Sequence, residues 1–226
     1  MIKAIVTDIE GTTSSIDFVH QTLFPYARTH LRKFLRDHAG DDAVQGELAE
    51  IERIENRDLS LDEAADVLER WIAEDRKITP LKSLQGMVWR VGYECGELKG
   101  HVYADTPDAL RHWHAQGLRL YVYSSGSVDA QKLIFGHTDF GDLTSLFSGY
   151  FDTRVGGKRE AASYREILKQ IGLSGEEVLF LSDIGEELDA ARVAGLHTCQ
   201  LVRDAKTRAA LAHVQAAALT GVRLPG

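Results

Sequence analysis

Cysteine, long apolar runs and positive charge are all scarce in this chain, and each scarcity removes a class of protein. Only Cys95 and Cys199 occur in 226 residues, far apart and in no CxxC spacing. That leaves neither a disulfide framework nor a cysteine zinc site, and the expectation is two reduced thiols used for packing. No stretch approaches the roughly 18 apolar residues a membrane span needs. The first ten residues read as a buried strand, not as a basic-then-apolar leader, so the expectation is a soluble, cytoplasmic protein. The formal net charge of −8 supplies no general pull toward nucleic acid or an anionic membrane, and neither is expected as a partner. An anionic substrate would have to be attracted locally. Internal repeats and low-complexity segments are also missing, while 44% hydrophobic residues suffice for one good core and a smaller second one.

What is present begins with "VTDIEGTTSS" at residues 6–15. Ile2, Ala4, Ile5 and Val6 form a short apolar run ending at Asp8, the pattern of a strand covered on both faces. Positions two apart on a strand share a face, so Asp8 and Glu10 are expected to crowd one site. Like charges so placed are costly unless something neutralises them. The same grammar recurs in "LRLYVYSSGS" (118–127), which runs into Ser124, Ser125 and Gly126, and in "EVLFLSDIGEE" (177–187), which runs into Ser182 and Asp183.

Between these runs lie helical patterns. Thr106 reads as an N-cap with Pro107 at the first helical position and Gly117 as the stop. "REILKQIGL" (165–173) and "EELDAARVAGL" (186–196) read as helices, each followed by a strand candidate. The alternation predicts an α/β fold with a right-handed, doubly wound, mainly parallel sheet. In such sheets ligands lie at the carboxyl ends of the strands, where Asp8, Ser124 and Asp183 can converge.

Residues 16–100 break the alternation. "SLDEAADVLERWIAEDR" carries a capping box, Ser60 with Glu63, and an apolar stripe of Leu61, Ala64, Leu68, Trp71 and Ile72. A second helix is expected from Thr79 and Pro80. The expected organisation is a catalytic core of 1–15 and 101–226, with a helical cap of 16–100 inserted after the first strand as a candidate lid. The acids Glu47, Glu50, Glu52 and Glu55 read as a solvated helix face. His112 and His114, two apart on a helix, do not share a face and are poor co-ligands.

Mg²⁺ against Asp8 and Asp183, with the carbonyl or side chain of Glu10, would resolve the crowding through oxygen donors. A carboxylate at Asp8 can attack phosphorus and form an aspartyl-phosphate, with Glu10 protonating the leaving oxygen and later activating water. Ser124, the amides around Ser125 and Gly126, and Lys158 in "RVGGKREAASY" could supply donors to the phosphoryl oxygens. Each residue alone has a plainer reading, as a strand-end cap or a surface charge. The ordered set of acid pair, serine, lysine and acid is far more specific.

These residues resemble the haloacid dehalogenase-like phosphohydrolases, with Asp8, Thr12, Ser124, Lys158, Asp183 and Glu187 matching the family motifs in order. Glu10 stands where most of the phosphatases carry Asp. "DIEGTTSSIDFV", "YVYSSGSV" and "GGKREAASY" together are similar to the enolase-phosphatase branch of methionine salvage, where the glutamate is the rule. The resemblance implies a bifunctional, Mg²⁺-dependent enzyme, monomeric as is usual in the branch. It would convert 2,3-diketo-5-methylthiopentyl-1-phosphate to 1,2-dihydroxy-3-keto-5-methylthiopentene and phosphate. It also implies roles: Asp8 as nucleophile and metal ligand, Glu10 as acid/base and metal neighbour, Asp183 as metal ligand. Ser124, Ser125 and Lys158 would hold the phosphate, with Thr12 and Glu187 supporting, the latter through water. Apolar contacts for the methylthio tail are expected from Phe18, Trp71, Met87 or Trp89. The alternatives are a general sugar-phosphate or phosphoglycolate-type phosphatase, a dehalogenase with no use for Mg²⁺, and a phosphoacceptor signalling domain.

Overall fold

The computed structural model describes residues 1–74, 76–205, 207–210 and 212–225. The chain divides into two compact units, Met1–Ile16 with Lys99–Gly226, and Asp17–Leu98. No helix among the described residues is long and apolar enough to cross a membrane.

The first unit is built on β1 (Ala4–Thr7), β2 (Arg119–Tyr123), β3 (Phe147–Phe151), β4 (Val178–Ser182), β5 (His197–Leu201) and β6 (Val214–Ala216). Among the described residues these form one sheet in the order β3-β2-β1-β4-β5-β6, with every neighbouring pair parallel. The chain builds outward from β1 on one side and from β4 on the other, so the switch point lies between them. Their register places Val6 beside Tyr121 and Phe180, which brings the carboxyl ends of β1, β2 and β4 to one level.

β1 and β4 are buried along their whole length, as the continuous apolar runs require. One face packs Val6, Tyr121, Tyr123 and Phe180 against Tyr164, Ile167, Leu188 and Ala191. These last four come from the helices Ala161–Ile171 and Gly185–Val193. The strands β3 and β6 have no clear signal in the sequence. β3 reads FSGYF, with a register shift against β2, and β6 has three residues, so neither offers a sustained period. The N-terminus of Thr106–Ala115 also differs from expectation: Asp105 is the N-cap and Thr106 already lies in the helix. The Thr106 hydroxyl is engaged elsewhere, donating to the Thr13 carbonyl at 3.0 Å.

The second unit is helical. In chain order α1 (Ile16–Phe18) passes through a π-helical turn into α2 (Phe24–Asp37), followed by α3 (Asp42–Glu55), α4 (Leu61–Ala73) and α5 (Thr79–Glu94). The capping box at α4 is formed, with the Glu63 amide donating to Ser60 Oγ at 3.3 Å and the Ser60 amide to Glu63 Oε2 at 2.9 Å. Leu31, Leu35, Ile51, Leu68, Trp71 and Leu84 make the core. Trp71 is fully buried there, which removes it from the candidate contacts to a substrate tail. The acids of α3 are more engaged than a solvated face requires: Glu50 pairs with Arg53, Glu55 with Arg70, and Glu52 Oε1 accepts from the Leu59 amide. Cys199 is buried, but Cys95 is exposed, falling just past the C-terminus of α5 with its Sγ donating to the Gly92 carbonyl at 3.5 Å.

In the first unit, the helices at Thr106–Ala115, Val128–Gly136, Ala161–Ile171 and Gly185–Val193 are α6, α7, α8 and α9.

Candidate active site

β1 ends at Thr7, and its next residue, Asp8, is 2% exposed. The Asp8 amide donates to the Leu181 carbonyl at 2.9 Å. Beyond it the chain turns tightly: the amides of Thr12, Thr13 and Ser14 all donate to the Ile9 carbonyl at 3.1, 2.9 and 2.9 Å. Glu10 therefore reaches the site through this turn, past the strand, and not by strand alternation. Gly11 sits in the turn at φ +74°, and a Cβ there would lie 2.3 Å from Asp183 Oδ2. Only bare backbone can approach the Asp183 carboxylate so closely.

Lys158 Nζ donates to Asp8 Oδ1 at 2.5 Å and pairs with Glu187 Oε2 at 2.8 Å. Burial alone would push this ammonium down, but Asp8 and Glu187 outweigh it and hold the group above its ordinary value. Glu187, in the first turn of α9, also accepts from Ser182 Oγ at 2.9 Å. Its link to Lys158 is thus direct. Burial, then the charge of Asp8, pushes the Glu187 carboxyl up, while Lys158 pulls it back.

Ser124 Oγ, just past β2, donates to Glu10 Oε2 at 3.3 Å and accepts from the Gly126 amide at 3.2 Å. Burial, helped by Asp8, raises the Glu10 carboxyl, so its proton is retained to a higher pH than usual. Ser125 is exposed, and no bond from its side chain is among those described. Asp183 follows β4. Burial and the nearby Asp8 charge push its carboxyl up to about 7, and its Oδ1 is buried with no hydrogen-bond partner among the described residues. Thr12 is fully buried and its Oγ1 is likewise unpartnered.

Four carboxylates, Asp8, Glu10, Asp183 and Glu187, thus face one ammonium. Among the described residues no group of three or more His, Cys, Asp or Glu side chains is gathered as a metal site. The Glu10 side chain is engaged by Ser124. Asp183 offers an orphaned carboxylate oxygen beside the Asp8 charge, hard oxygen donors suited to a cation of the Mg²⁺ class.

A family model described as haloacid dehalogenase-like hydrolase matches residues 2–195. A protein named "Enolase-phosphatase E1" in Pseudomonas syringae pv. tomato is 57% identical, covering 94% of each chain. One of the same name in Pseudomonas aeruginosa is 60% identical over 90% of this chain and 91% of its own. The chain belongs to the haloacid dehalogenase-like hydrolases, in their enolase-phosphatase branch. Its fold agrees with the solved structure of UTR4 protein (Unknown transcript 4 protein) from Saccharomyces cerevisiae, at TM-score 0.83 and 34% identity, covering 98% of this chain and 100% of that one.

The sequence did not point to several residues that hold this hydrolase's site together. Arg203 donates from Nε and Nη2 to the Thr12 carbonyl at 2.9 and 2.5 Å, and grips Asp105 from Nη1 at 2.8 and 2.9 Å. Its guanidinium lies 4.3 Å from the centre of the Tyr103 ring. Gln200 donates to the carbonyls of Asp183 and Arg208 at 2.8 and 2.9 Å, fixing the loop after β4. His101 Nδ1 accepts the Ser15 amide at 3.1 Å. These contacts join segments distant in sequence, so no local spacing announces them.

Proposed function

We propose that this enolase-phosphatase hydrolyses its phosphate ester by nucleophilic attack from Asp8, with Glu10 moving the proton. The observation that carries the reading is the pair of carboxyl groups on one turn, Asp8 held by Lys158 and Glu10 held by Ser124, with burial and the Asp8 charge raising the Glu10 carboxyl. The substrate is 2,3-diketo-5-methylthiopentyl-1-phosphate, in line with the branch. Asp8 attacks phosphorus, the bond to the leaving oxygen breaks, and Glu10 gives that oxygen its proton. Glu10, now ionised, takes a proton from water, which attacks the aspartyl-phosphate, frees phosphate and restores Asp8. Lys158 orients the Asp8 carboxylate and balances charge on the phosphoryl group, with Ser124 and the amides beyond it as further donors. Ser125, lying at that exposed rim, contributes through its amide.

Mg²⁺ fits the oxygens of Asp8 and Asp183 with the Glu10 carbonyl, and when bound it would supply positive charge to the phosphoryl oxygens and to the enediolate of the enolisation step. Thr12 supports the turn that carries Glu10. In this reading the helical unit Asp17–Leu98 is the cap, and Phe18, Met87 and Trp89 remain its candidates for the methylthio tail.

The test follows enol absorbance and free phosphate together on the diketo phosphate, for the wild type and Asp8→Asn. The expected result is enol before phosphate in the wild type, and no phosphate from the folded variant. Unchanged turnover in Asp8→Asn would overturn the nucleophile assignment. Phosphate with no preceding enol, or equal turnover of simple phosphate esters, would leave a general phosphatase.

A further inference from the structure

Lysine is a flexible point charge on a four-carbon stem, so a lysine that must meet two carboxylates needs a fixed backbone beneath it. The segment carrying Lys158 belongs to no ladder. It leaves a short 3₁₀ turn at Thr153–Val155 and passes Gly156 at φ +124° and Gly157 before α8 begins. Such backbone is normally among the more mobile parts of a fold.

Here three successive carbonyls each accept a side-chain hydroxyl. Tyr123 Oη donates to Gly156 O at 2.9 Å, Ser163 Oγ to Gly157 O at 2.8 Å, and Tyr164 Oη to Lys158 O at 2.6 Å. The donors stand on rigid ground. Tyr123 is the last residue of β2, while Ser163 and Tyr164 lie in the first turn of α8. Both tyrosines are fully buried; their rings meet edge-on at 5.5 Å, and the Tyr164 ring meets Phe180 at 5.0 Å. The glycine is part of the fastening, because a Cβ on Gly156 would lie 2.2 Å from Ser163 Oγ.

Phenylalanine would fill the same core, so packing alone does not call for two phenols here. Tyr123 is also next to Ser124, which holds Glu10. One strand end therefore registers both the proton-handling acid and, through Gly156, the lysine. We propose that Tyr164, Tyr123 and Ser163 are positioning residues for phosphate release, setting the reach of Lys158 by fastening the carbonyls of Gly156, Gly157 and Lys158. The inference rests on Lys158 serving the site as described above.

The test uses the intact chain with Tyr164→Phe and Ser163→Ala, each made alone and in a Lys158→Ala background. Phosphate release, inhibition by orthophosphate and Tm are measured for all. Tyr164→Phe is expected to lower kcat about tenfold, since small displacements of a catalytic group cost one to two orders of magnitude. It should weaken orthophosphate inhibition while changing Tm little, and Ser163→Ala should act in the same direction. In the Lys158→Ala background neither substitution should lower the rate further, because its target is already gone. Unchanged kcat with lowered Tm, or equal effects in both backgrounds, would overturn the inference and leave a purely structural role. If Lys158→Ala itself releases phosphate at the wild-type rate, the site reading fails and the inference falls with it.

Discussion

Glu187 and Asp8 share one ammonium: Lys158 Nζ lies 2.8 Å from Glu187 Oε2 and 2.5 Å from Asp8 Oδ1. The sharing keeps Lys158 from neutralising Asp8 alone. Glu187→Gln keeps the shape but removes one of the two anions, so the ammonium moves fully onto Asp8 and blunts it as a nucleophile. The expected outcome is a kcat lowered about 10- to 100-fold with a smaller change in KM, the pattern of a lost transition-state effect. Steady-state kinetics beside a Tm measurement checks it.

Gly11→Ala should be more damaging than its size suggests. The new Cβ would meet Asp183 Oδ2 at 2.3 Å, and the φ of +74° is itself unfavourable for alanine. The strain alone costs about 1–2 kcal/mol, visible in urea unfolding. Displacing Asp183 should cost activity at least about 100-fold, so kinetics and stability should diverge.

Arg203 and Asp105 form a buried pair, with side chains 6% and 20% exposed. Asp105 Oδ2 also accepts the Leu219 amide at 2.5 Å. Removing one partner strands the other, so Asp105→Asn is expected to destabilise the protein by about 3–5 kcal/mol. The double variant Asp105→Asn/Arg203→Met should cost less than the sum of the single ones. Urea unfolding of all four proteins measures this.

The parts of the site that sequence made legible are those written locally. β1, β2 and β4 are short apolar runs ending in Asp8, Ser124 and Ser182–Asp183, and the parallel sheet aligns those ends. Lys158 was legible as a lysine after two glycines. Less legible was the reason the acids meet, since Glu10 arrives by a turn that Arg203 fastens from 191 residues away. Glu187 reads as an acid in the right order, yet its partner is chosen by where α8 and α9 pack. The Thr106 cap failed for a related reason, because a tertiary acceptor, the Thr13 carbonyl, outcompetes the local one. β3, interrupted by Ser148 and Gly149, and β6, three residues long, are too short for a period to show.

His101 gives the first unit a pH dependence of known sign. Its Nδ1 accepts the Ser15 amide and lies 3.1 Å from Ser14 Oγ, so the neutral ring fits and a protonated one does not. Burial holds the imidazole below its ordinary value. A folded value below the unfolded one gives stability that is present above about 6.5 and is lost as pH falls through the folded value. Wild type should therefore lose more stability than His101→Gln between pH 7.5 and 5.5, by urea unfolding. Equal losses would show that the ring does not contribute.

Asp183 carries the expectation for metal binding. A buried carboxylate oxygen with no partner among the described residues, as Oδ1 is, costs free energy that a bound cation would relieve. The carboxylates of Asp8, Glu10 and Glu187 nearby raise the same demand. Mg²⁺ should therefore stabilise the folded protein, by about 2.7 kcal/mol at a hundredfold excess over its Kd, and calorimetry without substrate should show a raised Tm. Asp183→Asn removes the ligand charge and should lose most of that shift while the protein stays folded. Ser125→Ala, at the exposed rim, should keep it. A shift that survives in Asp183→Asn would place the cation elsewhere; a wild type indifferent to Mg²⁺ would mean that Lys158 and retained protons alone balance the acids.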